Sequence, residues 1–139
     1  MNVQPYLYFG GRSEEAIDFY KGAIGAKVEM MMRFKEAPDD QKGMMKPGTE
    51  NKVMHACIKV GDTPIFVSDG DCGGKPEFKG VTLTINVSND AEAEKLFGAL
   101  GKGGQVQMPM TETFFATRFG MLADKFGVSW MVLAEKKMT

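Results

Sequence analysis

Hydrophobic side chains recur along this chain at two spacings. Over residues 3–9 aromatic and aliphatic side chains follow one another with no helical period and stop at Gly10 and Gly11, which predicts a strand and a turn. Ser13 then stands where a helix N-cap belongs. Glu14 and Glu15 fill the first turn, where the positive end of the helix dipole favours carboxylates. Ile17, Tyr20 and Ile24 fall on one helical face, and Gly25 supplies the left-handed position that ends a helix.

The same order returns about 76 residues later. Residues 81–87 (VTLTINV) alternate as a strand, and Asn89 takes the N-cap place. Ala93, Leu96, Phe97 and Leu100 form an apolar helical face, and Gly101 takes the place of Gly25. Two strand–cap–helix–glycine units at one offset predict an internal duplication. Each predicted helix is followed by three strand-like runs, at 27–34, 52–60 and 63–68 in the first half and at 105–110, 118–123 and 128–134 in the second. Turn residues separate the last pairs, Gly61-Asp62 in one half and 124–127 in the other.

Each half therefore reads β-α-β-β-β, and the fold class is α+β. A single domain is expected over 1–139, with module 1 at 1–70, module 2 at 80–135 and a linker at 71–79. That linker lies in a stretch rich in glycine and charge (DGDCGGKPEFKG, residues 69–80). Residues 35–51 form a long polar loop inside module 1, and loops of that length are usually functional or mobile. Met44 and Met45 are an apolar pair within it, suited to a lid over a pocket mouth or to a plug in a dimer interface.

Composition narrows the function classes. A hydrophobic content of 43% and a charged content of 25% are those of a globular domain. A formal net charge of −1 gives no electrostatic reason to expect nucleic acid, which needs clustered basic surface. No run approaches the roughly 18 apolar residues that cross a bilayer, so no membrane partner is expected. The first residues lack the basic start and apolar stretch of a secretory signal, and a cytoplasmic location is expected. Cys57 and Cys72 match no zinc or redox spacing. A disulfide between them is possible from sequence, and two reduced thiols fit a cytoplasmic protein better. The twelve methionines read as adaptable core filler, or as a soft and repackable cavity wall.

Three stretches, QPYLYFGGRSEEAIDFYKGAIGAKV, VMHACIKVGDTPIFVSDG and MPMTETFFATRFGMLADKFGVSWMVL, together resemble PhnB-like proteins of the vicinal oxygen chelate superfamily. Phe115 stands where that family often has Trp. The resemblance implies two βαβββ modules whose mixed sheets curl around a cavity, often completed in a homodimer. It also implies relatives among glyoxalase I, extradiol dioxygenases and bleomycin or fosfomycin resistance proteins. PhnB-like sequences are often labelled 3-demethylubiquinone methyltransferases. A Rossmann-type methyltransferase needs a glycine-rich loop after a strand and then repeated βα units. Here Gly10-Gly11 are followed by Arg12 and Ser13 and no such alternation, so the label does not fit and no cofactor is expected.

Enzymes of the resembled superfamily typically hold a divalent metal through one side chain on the first and last strand of each half. Such ions want imidazole or carboxylate. The first strands offer Gln4, Tyr6 and Tyr8, and Thr82 and Thr84. The predicted last strands, 64–68 and 128–133, contain no Asp, Glu or His, and Met131 stands where relatives carry a carboxylate. The usual metal site is therefore expected to be absent. His55, the only histidine, shares a strand face with Cys57 and reads as a cavity-lining or core residue. Asp69 and Asp71 read as solvated turn residues.

What remains as a candidate ligand-binding set is Tyr6, Tyr8, His55, Phe66, Phe114, Phe115, Arg118 and Trp130, because pockets are built from apolar walls with a few polar groups. Glu112 and Arg118 are the charges beside the Phe114-Phe115 pair. The leading expectation is a binder of an unknown small molecule without the usual metal. A lyase, isomerase or oxygenase with a displaced metal near His55 and Glu112 is the alternative, and a module with a filled interior is a third. A homodimer is expected, since short curled sheets in a small chain leave strand edges bare.

Overall fold

Alternation along the inner strands of each sheet buries one set of side chains under a helix and leaves the other set facing away. A computed structural model, which describes residues 1–38, 47–73 and 75–136, contains two compact units, Met1–Pro76 and Glu77–Thr139. Residues 39–46 of the 35–51 loop, with Met44 and Met45, lie outside the described residues.

In the first unit the order is β1 (Tyr6–Tyr8), α1 (Ser13–Ile24), β2 (Lys27–Arg33), a short 3₁₀ turn (Phe34–Glu36), β3 (Val53–Val60) and β4 (Thr63–Ser68). The strands form one mixed sheet in the order β1-β4-β3-β2, with β1 parallel to β4 and the other pairs antiparallel. The second unit repeats the plan: β5 (Leu83–Val87), α2 (Asp90–Leu100), β6 (Gln105–Thr111), β7 (Ala116–Ala123) and β8 (Ser129–Glu135), in the order β5-β8-β7-β6. The expected α+β arrangement of two βαβββ modules is the one observed.

The expected strand at 3–9 shortens to Tyr6–Tyr8, although the Pro5 carbonyl and the Phe9 amide still bond to β4 on either side. The last strand runs one residue further than expected and ends on the exposed Glu135, so it does contain a carboxylate.

In the first unit, Leu7, Ile17, Tyr20, Val53, Ala56, Ile58, Ile65 and Val67 are buried as α1 lies against β3. Full burial of a side chain the size of Ile17 is worth about 1.5–3 kcal/mol. In the second, Ala93, Phe97 and Leu100 of α2 bury with Leu122, Trp130, Val132 and Ala134. Gly120 is required there: a Cβ at this position would sit 2.6 Å from Met110 Sδ and 2.7 Å from the Phe97 ring.

The helix ends differ from the expectation. Ser13 is the first helical residue, not the cap, and Arg12 in the cap position makes no side-chain cap bond. Asp69, from the end of β4, does that work instead. Its Oδ1 accepts from the backbone N–H of Gly11 at 2.9 Å and of Ser13 at 2.8 Å, and its Oδ2 accepts from that of Val53 at 2.8 Å. Asp69 is 2% exposed, which corrects its reading as a solvated turn residue. In the second unit Asn89 caps locally as expected, accepting from the Glu92 N–H at 2.8 Å. Gly25 adopts the left-handed conformation expected of it, whereas Gly101 is right-handed and the positive φ moves on to Gly103.

Candidate functional site

The face of the first sheet turned away from α1 carries Tyr6 and Tyr8 from β1, Phe66 from β4, and His55 and Cys57 from β3. They share this face because their neighbours Leu7, Ala56 and Val67 take the buried positions between them. Strand register fixes the neighbours: Tyr6 lies beside Phe66, which lies beside Cys57. The rings form one cluster. Tyr6 and Tyr8 stack at 4.9 Å and 14°, Tyr6 and Phe66 lie 5.6 Å apart, and His55 lies 5.2 Å from Phe66.

Tyr6 Oη is 2.8 Å from His55 Nδ1, so with the neutral imidazole protonated at Nε2 the phenol donates. Partial burial above all, and then the adjacent Tyr8 phenol, raise Tyr6 above the ordinary tyrosine pKa of 10.0, with the Ser68 hydroxyl opposing. Tyr6 stays a neutral hydrogen-bonding phenol at physiological pH. Its partner Tyr8 is 52% exposed.

A cavity of about 310 Å³ opens beside Tyr8, lined also by Gly10, Asp69, Gly70, Asp71, Gly73, Lys75 and Pro76. Gly70 holds the ring against this cavity. It has φ +59° and no Cβ, where a Cβ would lie 3.2 Å from the Tyr8 ring.

Of the eight residues singled out from the sequence, Tyr6, Tyr8, His55 and Phe66 come together here. Phe114 and Phe115 lie in the β6–β7 connection of the second unit. Phe114 is 91% exposed, and Phe115 packs edge-on against Phe119 at 5.4 Å. Arg118 turns toward α2, where Nε reaches Glu94 at 3.2 Å. Trp130 is 3% exposed, and its indole N–H donates to Asp124 Oδ2 at 2.8 Å. These last two positions serve packing under α2, because they share the parity of Leu122 and Gly120 rather than that of Phe119. Glu112 pairs with Lys136 at 2.9 Å rather than with Arg118, and that ammonium holds its carboxyl below the usual range.

The metal site implied by the resemblance can be tested against the side chains present. The first and last strands present Tyr6, Tyr8, Phe66 and Ser68 in one unit, and Thr84, Asn86, Met131 and Glu135 in the other. One carboxylate among phenols, hydroxyls, an amide and a thioether does not fit a divalent ion that wants several imidazoles or carboxylates. No group of three His, Cys, Asp or Glu lies together among the described residues, and no described helix is long and apolar enough to cross a membrane. Cys57 and Cys72 are not joined in a disulfide.

Residues 1–133 match the family model described as 3-demethylubiquinone-9 3-methyltransferase. Protein YjdN of Escherichia coli K12 is 32% identical, over 99% of this chain and 97% of its own length. The crystal structure of protein PA1353 from Pseudomonas aeruginosa is 38% identical, with a TM-score of 0.85 over 99% of both chains. A PhnB protein from Bacillus cereus is 26% identical, with a TM-score of 0.78 over 96% of this chain and 99% of that one. A glyoxylase/bleomycin resistance protein/dioxygenase domain from Frankia, 14% identical, shares the fold at a TM-score of 0.63, over 97% of this chain and 95% of its own. With the duplicated βαβββ plan and this match over nearly its whole length, the chain belongs to the PhnB-type 3-demethylubiquinone-9 3-methyltransferase family, and it shares the fold of glyoxylase/bleomycin resistance/dioxygenase domains.

Proposed function

We propose that this protein binds a small flat aromatic molecule on the open face of the first unit's sheet, and that it acts by holding the ligand without a divalent metal. The observation that carries this reading is the stacked Tyr6–Tyr8 pair, left open to solvent and pinned at one phenol by His55. Aromatic rings bury about 150–250 Å² each and favour offset stacking, so a third ring placed on Tyr8 gains both apolar burial and ring geometry. Tyr6 and His55 supply polar edges for orientation, and the cavity beside Tyr8 supplies volume.

The methyltransferase description of the family is not supported as chemistry in this chain. The loop between β1 and α1 is where a nucleotide-like cofactor would need free backbone N–H groups. Here the N–H groups of Gly11 and Ser13 both donate to the buried Asp69 carboxylate.

The protein also carries exposed apolar side chains on β6 and just after it, Val106, Met108 and Phe114, together with the bare edge of that strand. These support a homodimer. Sedimentation equilibrium at tens of micromolar should return twice the chain mass, and a monomeric mass rules the dimer out.

The ligand reading is tested by NMR of ¹³C-tyrosine-labelled protein titrated with proflavine, menadione and indole. There are three tyrosines, and the buried Tyr20 is an internal control. Tyr6 and Tyr8 ring signals should move with at least one of these probes while Tyr20 stays. If neither phenol responds, or if Tyr8→Ala binds as tightly as the parent, the aromatic face is not a ligand site.

A further inference from the structure

We propose that Met30, Met32, His55 and Cys57 form a binding site for a soft monovalent metal ion, Cu(I) or Ag(I), on the open face of the first sheet. The register of β2 against β3 sets Met30 opposite Cys57 and Met32 opposite His55. Directly paired residues on adjacent antiparallel strands point to the same side. His55 and Cys57 face away from α1, as the ring contacts of His55 and the pairing of Cys57 with Phe66 fix. Met30 and Met32 therefore face the same way, while Met31 opposes the buried Ala56 on the helix side.

Four donors thus stand at the corners of a patch about 5 Å across the strands and about 7 Å along them, within reach of one ion for side chains of this length. The bulges in β2 fall on either side of this segment, between Val28 and Met30 and between Met32 and Arg33, so the pairing that sets the patch is regular. All four residues are partly open to solvent, which provides an entry path.

The donor set selects the ion. Two thioethers, one thiol and one imidazole are soft ligands suited to Cu(I), whereas a hard divalent ion would want oxygen. Cys57 would lose its thiol proton to solvent on binding. His55 would offer Nε2, with the proton on Nδ1 donated to Tyr6 Oη, so that the existing 2.8 Å contact reverses its direction and orients the ring. The site shares His55 with the aromatic-ligand reading, while its three sulfur donors take no part in that reading.

The test is anaerobic transfer of Cu(I) from its bicinchoninate complex to the reduced full-length protein. One equivalent should leave the probe. Cys72→Ser should transfer as the parent does, and Tyr6→Phe should weaken binding by about 10–100-fold, the usual loss for an outer partner of a metal ligand. Cys57→Ser and the double variant Met30→Leu/Met32→Leu should bind more weakly still. The Leu variant conserves volume, so its circular dichroism and its NMR response to the aromatic probes should match the parent. With ¹³C-methyl methionine and Ag(I), the Met30 and Met32 methyl signals should shift ahead of the other methionines. No withdrawal of Cu(I), or equal affinity in the Leu double variant, overturns the site. Equal affinity would assign the metal to other thioethers.

Discussion

The two units share strand order, strand direction and helix placement, yet they finish the sheet face away from the helix in opposite ways. In the first unit that face carries Tyr6, Tyr8, His55, Cys57 and Phe66, partly open and joined by a phenol–imidazole hydrogen bond. In the second the same parity carries Phe119 and Leu133, both buried with Ala116, and Met121 and Met131 packed against them. Thr84, from β5, reaches only the Met131 sulfur, at 3.8 Å. The helix-side positions show no such divergence, since both units fill them with aliphatic and aromatic side chains. A duplicated scaffold holds its helix-facing core constant because changing volume there costs several kcal/mol. The opposite face is free to specialise, and here only the first copy gathers an aromatic cluster with an imidazole there, while the second leaves Thr84, Asn86 and Glu135 exposed around a filled centre.

The two units also satisfy their helix N-termini differently, and the largest predicted effect tests that difference. In the first unit a carboxylate 56 residues from Ser13 does so, tying β4, β3 and the β1–α1 turn together. Asp69→Asn should lower stability by about 3 kcal/mol or more in urea denaturation, because one oxygen becomes an NH₂ facing the Val53 N–H and leaves a buried donor unpaired. A loss below about 1 kcal/mol would mean that water or a shifted backbone replaces the carboxylate. The next effect sharpens the contrast in the open faces. Gly70→Ala places a Cβ at φ +59° and 3.2 Å from the Tyr8 ring. It should cost about 1–2 kcal/mol from the left-handed backbone alone, and it should move the Tyr8 ring signals while leaving Tyr20 in place. An unchanged Tyr8 spectrum would show that the ring is not held by Gly70.

The local cap of the second unit should matter less. Asn89→Ala removes one side-chain acceptor at an exposed helix start and should cost about 1 kcal/mol. If Asn89→Ala costs as much as Asp69→Asn, the distinction between a tertiary and a local cap is lost.

This difference also explains what was legible beforehand. Asn89 was readable as a cap because its partner Glu92 lies three residues away on the same turn. Ser13 had the same appearance, but a buried acid from the end of β4 took the place, and nothing local to Ser13 announces it. The one available signal is the placement of Asp69 immediately after an apolar strand and before a glycine. Strands, helices and their order followed from periodicity, because alternation and the 3.6-residue repeat are properties of neighbouring residues. The assignment of candidates to faces followed only partly. Tyr6, Tyr8 and Phe66 alternate cleanly, whereas Arg118 and Trp130 depend on which parity of β7 and β8 lies under α2. The pairing of Met32 with His55 and of Met30 with Cys57 stayed hidden as well, since it follows only from the register of β2 on β3.

The smallest predicted effect concerns ion pairs that join each helix to its sheet. In the first unit Arg33, at the end of β2, reaches Glu14 of α1 with both terminal nitrogens, and its Nη1 also donates to the Asn51 carbonyl at 2.7 Å. In the second, Arg118 of β7 reaches Glu94 of α2 through Nε alone, at 3.2 Å. The Arg33 hydrogen bonds hold the Glu14 carboxyl below its ordinary pKa of 4.5, with a smaller opposing contribution from burial. A carboxyl with a lowered folded-state pKa adds stability that is fully present above the unfolded value and is lost as pH falls through the folded value. Glu14 is more than half exposed, so solvent screening keeps the contribution near 0.5 kcal/mol, about the middle of the range for surface pairs. Glu14→Gln should therefore lower urea stability slightly at neutral pH, and its gap from the parent should close as pH falls below 4.5. Glu94→Gln, which breaks a single bond, should cost less than Glu14→Gln at neutral pH. A Glu14→Gln gap that stays constant down to about pH 3, more than a unit below the ordinary glutamate pKa, would mean that the glutamine acts through packing or helix propensity and not through the charge shared with Arg33.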